Sequence, residues 1–147
     1  MVGVRTRRTV VLGLLGLALV AGCTPDRNHA DAQVGQVTVV AKDFKVSATS
    51  DHWPVGDVRV VFHNLGPDTH ELLMFAATDR AAALPLRPDG VTVDEDSARM
   101  HAVIDEKGTP AGASQTVTVH LAPGHYVILC NMSGHYMAGM RQDVTVG

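Results

Sequence analysis

The stretch Cys130-Asn131-Met132-Ser133-Gly134-His135-Tyr136-Met137-Ala138-Gly139-Met140 decides how this chain is read. It sets a thiolate, an imidazole and a thioether at even spacing, C-x4-H-x4-M. Gly134 and Gly139 give the backbone room to turn between them. Taken singly, each group has an ordinary reading. A cysteine after an apolar strand is a small buried hydrophobe. A histidine in a Gly-rich loop is solvated, and Met132, Met137 and Met140 fill core. Together, directly after the apolar run Tyr126-Val127-Ile128-Leu129, they read as a metal site. One thiolate and two imidazoles in a trigonal arrangement, with a weak axial thioether, form the donor set of blue copper. The loop supplies Cys130, His135 and Met140. A second imidazole must come from elsewhere.

The strands around the loop point to that second imidazole. From Gln36 the apolar residues alternate, with Val37, Val39 and Ala41 in one phase and Phe44 and Val46 following. Trp53-Pro54-Val55-Gly56 is turn-like. Asp57 to Phe62 is a strand with Val58, Val60 and Phe62 on one face. Asn64-Leu65-Gly66-Pro67-Asp68 connects it to a strand from Thr69 to Phe75. His70 opens that strand directly after a loop, where its ring sits at the rim of a sheet. It is the predicted second imidazole. His63 and His120 fall on the polar phase of their strands. His125 lies in the turn Pro123-Gly124-His125, His101 in a helix-like segment, and His29 in a polar tract.

The remaining strands run from Ser114 to Leu121, His125 to Cys130 and Arg141 to Val146. Before them, residues 77–113 break the β pattern. Arg80 to Leu84 reads as a helical turn closed by Pro85. Asp94 to Met100 reads as another, its acids suiting a helix N-terminus. This partly helical insertion is expected to cover one side of the fold. Six to eight short strands separated by turn signals predict an all-β, Greek-key β-sandwich.

Residues 1–22 stand apart from this domain. Arg5, Arg7 and Arg8 precede an apolar run, Thr9 to Val20, that is short for a membrane span. Val20-Ala21-Gly22-Cys23 then reads as a lipobox, with Cys23 lipidated and becoming the N-terminus. Thr6-Arg7-Arg8 also matches, weakly, a twin-arginine export signal. Residues 23–35 are a polar, flexible tether, and 36–147 the folded domain. With Cys23 lipidated and Cys130 on metal, the two cysteines of the chain leave no disulfide. Of 12 Lys and Arg, the three leader arginines are lost, leaving 9 against 15 Asp and Glu, a formal charge of −6. That balance argues against nucleic acid as a partner. The expected place is the outer face of the cytoplasmic membrane, held through lipid on Cys23, with the domain acting as a monomer.

Three pieces of the chain together carry a family resemblance: Asn64-Leu65-Gly66 with Thr69-His70-Glu71, Pro123-Gly124-His125-Tyr126, and the loop from Cys130 to Met140. Over about residues 36–147 the chain resembles the cupredoxins, near the bacterial plastocyanin/azurin-like copper proteins. The loop spacing is like that of rusticyanin and sulfocyanin. The long 77–113 segment departs from plastocyanin. The resemblance implies His70, Cys130 and His135 as equatorial ligands and Met140 as axial ligand of a single type 1 copper. It further implies electron transfer between redox proteins, with His135 exposed in an apolar patch formed by Tyr136, Met137 and Ala138. Asn64, Glu71 and Asn131 are candidates for hydrogen bonds that orient the ligands.

Two other functions use the same residues differently. A copper carrier or buffer at the cell envelope needs the same four ligands. A copper enzyme needs a second metal site and usually a His-x-His pair, which the sequence does not contain. The chain is therefore expected not to be an enzyme.

Overall fold

A computed structural model describes residues 34–78, 83–96 and 99–147. The leader, the lipobox and nearly all of the tether lie outside these residues. Nine strands follow in order: β1 (Gly35–Lys42), β2 (Lys45–Ala48), β3 (His52–Trp53), β4 (Gly56–Asn64), β5 (His70–Ala77), β6 (Met100–Thr109), β7 (Ser114–Leu121), β8 (Gly124–Leu129) and β9 (Arg141–Val146).

They form two sheets, ordered β2-β1-β4-β7 and β3-β9-β8-β5-β6. Both sheets are mixed. β1 runs parallel to β4, and β3 parallel to β9, while the other pairs are antiparallel. The chain passes repeatedly from one sheet to the other, as the expected Greek-key sandwich requires.

Period-2 alternation explains the main core. Val37, Val39 and Ala41 of β1 and Val58, Val60 and Phe62 of β4 face Leu72 and Met74 of β5 and Tyr126 and Ile128 of β8. Trp53 is 1% exposed and donates its indole N–H to the Ser50 carbonyl at 2.9 Å.

The other phase of β5 and β8 is also apolar, and the reason is a second, smaller core. Leu73, Phe75, Val127 and Leu129 pack on the outer face of their sheet with Leu84, Val93 and Tyr136. Segment 83–96 supplies Leu84 and Val93, so it covers one side of the sandwich as expected. Strands buried on both faces read as continuous apolar runs.

The helical part of the insertion is a correction. Among the described residues there is no helix. Of the turn expected over Asp94 to Met100, residues 94–96 are not helical and 97–98 lie outside those described, while Met100–Thr109 is the edge strand β6, hydrogen-bonded to β5 with two register irregularities. Edge pairing satisfies the backbone there and overrides local helix propensity. His101 is therefore a strand residue. The turn expected at 80–84 falls largely on residues 79–82, outside those described.

Candidate metal centre

The strand phases bring two of the predicted ligands together. His70 shares its phase in β5 with Leu72 and Met74, which face the main core. Cys130 continues the inner phase of Tyr126 and Ile128 in β8. β5 and β8 pair antiparallel with Leu73 opposite Leu129. Extending that register sets Cys130 opposite Leu72, with His70 its diagonal neighbour on the same face. Both ligands thus sit at one end of the sandwich interior.

The loop folds back to supply the others. Its ends are held by the β8–β9 hairpin, where Leu129 pairs with Arg141. The Cys130 N–H donates to the Met140 carbonyl at 3.1 Å, and the Met140 N–H to the His135 carbonyl at 3.0 Å. The His135 N–H donates to the Met132 carbonyl at 2.9 Å. Gly134 and Gly139 take φ of 81° and 96°, a region in which L side chains are strained.

The result is a close cluster. Sγ of Cys130 lies 3.3 Å from Nδ1 of His135 and 3.9 Å from Nδ1 of His70. One donor atom from each of the three residues lies within 4.8 Å of the others. The two imidazole rings stand 5.2 Å apart at 58°. His70 is 1% exposed, and Cys130 and Met140 are fully buried, while His135 is half-buried. Met140 lies in the same core cluster as Cys130.

Electrostatics prepare these groups for a metal. Burial pushes the His70 pKa down, the neighbouring His135 adds to this, and Asp68 and Asp43 oppose it. A neutral imidazole keeps a lone pair to donate. Burial pushes the Cys130 thiol up, against the backbone N–H groups of Glu71 and Met132 that favour its thiolate. The Glu71 carboxylate reinforces the rise. A metal ion reverses that cost by taking the proton's place. Nε2 of His70 is buried without a hydrogen-bond partner, and a Cβ on Gly66 would lie 3.0 Å from it.

All three orienting candidates are engaged. Asn64, fully buried, donates to the carbonyls of Asp68 and Thr109, each at 2.7 Å, and accepts from Gly66 N–H at 2.9 Å. That shapes the connection leading into His70. Glu71 Oε1 accepts the Asn131 N–H at 2.9 Å, tying the residue after one ligand to the residue after another. The Asn131 amide binds Val93 and Glu95.

The competing histidines are occupied elsewhere. His63 bonds Ser114, His120 bonds Asp57, His125 contacts Thr145, and His101 stacks edge-on with Tyr126.

Tyr136 departs from expectation. It is 3% exposed and joins the outer core, with the Leu84 N–H donating to its hydroxyl at 3.4 Å. The large apolar group beside His135 is Phe44, edge-on at 5.3 Å. Asp43, in the left-handed region at φ 53°, helps form the two-residue turn that presents Phe44. An aromatic residue inside a charged hairpin turn, Lys42-Asp43-Phe44-Lys45, was the available signal.

Two sulfur and two imidazole donors, three of them fully or almost fully buried, fit one copper ion of the type 1 kind. No family model matches the chain, and no curated protein matches it either. Solved structures do. Reduced auracyanin from Roseiflexus castenholzii is 21% identical, with 76% of this chain and 96% of that chain covered and a TM-score of 0.55. The copper protein rusticyanin, from Thiobacillus ferrooxidans, is 19% identical, with 76% of each chain covered and a TM-score of 0.56. Azurin from Methylomonas sp. strain J is 18% identical, with 77% and 98% covered and a TM-score of 0.56. The chain has the cupredoxin fold.

Proposed function

We propose that this chain, a cupredoxin by fold, holds one copper ion through His70, Cys130, His135 and Met140 and carries single electrons between redox proteins at the cell envelope. The observation that carries this reading is the convergence of His70 Nδ1, Cys130 Sγ and His135 Nδ1 from two separate parts of the sandwich. Copper, when bound, cycles between Cu(I) and Cu(II) in a set of soft sulfur and nitrogen donors acceptable to both states.

The protein's part is to keep that set still. Strand pairing holds His70 and Cys130, and the loop hydrogen bonds hold His135 and Met140. A fixed cage lowers the rearrangement that accompanies each change of charge. Enclosure favours electron transfer over copper hand-off. Cys130 and Met140 are fully buried, so an accepting protein has no open path to either sulfur.

His135 is the exit. Its half-buried ring stands against Phe44, which is 56% exposed, and within two residues of Met137, which is 55% exposed. Leu65, 60% exposed, sits nearby through its N–H bond to the Ala41 carbonyl at the end of β1. These side chains form an apolar surface suited to a small, short-lived contact with a redox partner. Export and lipid attachment through Cys23 would place that surface outside the cytoplasmic membrane.

The test is the visible and electron-spin spectrum of the copper-loaded chain. An intense visible band, abolished in Cys130→Ser, is expected. A colourless protein with copper bound overturns the reading.

A further inference from the structure

Segment 83–96 does more than cover the outer core. It is a small hairpin shaped by its own bonds. Leu86 bridges Val93, the Arg87 N–H donates to the Thr92 carbonyl at 2.9 Å, and the Asp94 N–H to the Pro85 carbonyl at 2.8 Å. The Asp89 carboxylate closes its turn, accepting from the N–H groups of Val91 and Thr92 at 2.9 and 3.0 Å.

This hairpin meets the ligand loop at Tyr136, through the outer core and the Leu84 N–H, and by polar side-chain bonds at Asn131. Asn131, adjacent to Cys130, is 6% exposed. Its Oδ1 accepts the Val93 N–H at 2.6 Å, and its Nδ2 donates to the Val93 carbonyl at 3.0 Å and to Glu95 Oε1 at 2.7 Å. A side-chain amide thus pairs with both backbone groups of one buried residue, as a strand neighbour would. Only a primary amide offers donor and acceptor together at that reach. Alanine would leave both Val93 groups buried and unpaired, and aspartate would have no N–H for the carbonyl.

We propose that Asn131 is a positioning residue that latches the ligand loop to the 83–96 hairpin, so that Cys130 and Met140 are held in place before any metal arrives. The inference rests on the copper reading for what the loop holds, but the latch itself belongs to the metal-free fold. Cys130 has little freedom of its own. Its N–H is bonded to Met140, and the N–H of the next residue to Glu71. Releasing Asn131 frees the hairpin side of that arrangement and lets the loop open locally.

Amide hydrogen exchange on the whole metal-free chain reads this directly. In Asn131→Ala, the N–H groups of Cys130, His135 and Met140 should exchange about tenfold faster or more, the effect of losing buried hydrogen bonds. Those of Val60 and Val119, in the opposite sheet, should keep their wild-type rates. Asp89→Ala, which opens the hairpin turn far in sequence from the ligands, should accelerate the same loop amides. Glu95→Gln keeps an oxygen for Nδ2 and should be silent. With copper bound, Asn131→Ala should shift the visible band and release metal about tenfold faster.

Unchanged loop amides in Asn131→Ala overturn the latch. So does equal acceleration at Val60 and Val119, which would mean a general loss of stability. Should Asn131→Ala fail to fold, the Asp89→Ala comparison decides by the same criterion. A colourless copper-loaded wild type would remove the copper reading while leaving the exchange result to decide the latch.

Discussion

Replacing Asn64 by alanine should weaken the metal-free fold severely. Asn64 is fully buried at the end of β4 and makes three side-chain hydrogen bonds, to the carbonyls of Asp68 and Thr109 and from Gly66 N–H. At about 1 kcal/mol net each, their loss costs about 3 kcal/mol. Gly66 is also buried, so its N–H stays unpaired and adds about 1 kcal/mol or more. The total, about 3–5 kcal/mol, is a large share of the 5–15 kcal/mol typical of a domain. Urea unfolding of the metal-free chain checks it. With a slope of about 1–3 kcal/mol per molar, the midpoint should fall by about 1 M or more at unchanged slope.

Asn64→Asp sharpens the test. The shape is kept and Gly66 N–H still finds an acceptor, but a carboxylate now faces two carbonyl oxygens. Burial and those oxygens raise its pKa in the fold above the unfolded value of about 3.9. The protonated form is then favoured by folding. Its contribution is present below the unfolded value and is lost as pH rises through the folded one. The Asp variant should therefore be about as unstable as Ala at pH 7 and gain on it as pH falls. A loss below about 1 kcal/mol in Ala, or wild-type stability in Asp at pH 7, would refute the reasoning.

Four further outcomes follow from the site. In the metal-free chain, His70 is held below its ordinary value of about 6.5, so its contribution is present above that pH and lost as pH falls. Cys130 is held above its ordinary value of about 8.5, so its contribution is present below that pH and lost as pH rises; denaturation curves should show a plateau between the two. For the same reason, copper binding near pH 7 should release about one proton, from Cys130, as measured by titration in weakly buffered solution. Gly66→Ala would bring a Cβ to 3.0 Å from both the Asp43 nitrogen and His70 Nε2, costing about 1–3 kcal/mol in unfolding experiments and shifting the visible band. Phe44→Ser should leave the band in place but slow oxidation by a redox partner about tenfold in stopped-flow, the effect of losing one good apolar contact.

The ligand loop was legible because its information is local. Cys130, His135 and Met140 lie within eleven residues, and their spacing with two glycines leaves few ways to fold. His70 was legible through period-2 phase, since a strand's alternation decides which face each residue takes. The all-β sandwich followed from the same alternation. The edge strand Met100–Thr109 was not legible, because its pairing with β5 comes from a partner about 30 residues earlier in the chain. Its own composition permits a helix.

By itself, then, the order of residues determined the donor set, the inner face of each ligand strand and the class of fold. Only the tertiary structure decided that Tyr136 turns into the outer core and that Phe44 takes the surface beside His135. It also decided that Val93 meets the amide of Asn131, 38 residues further along the chain. Periodicity records which side of a strand is apolar, whereas the identity of the group covering that side depends on long-range packing that no local pattern carries.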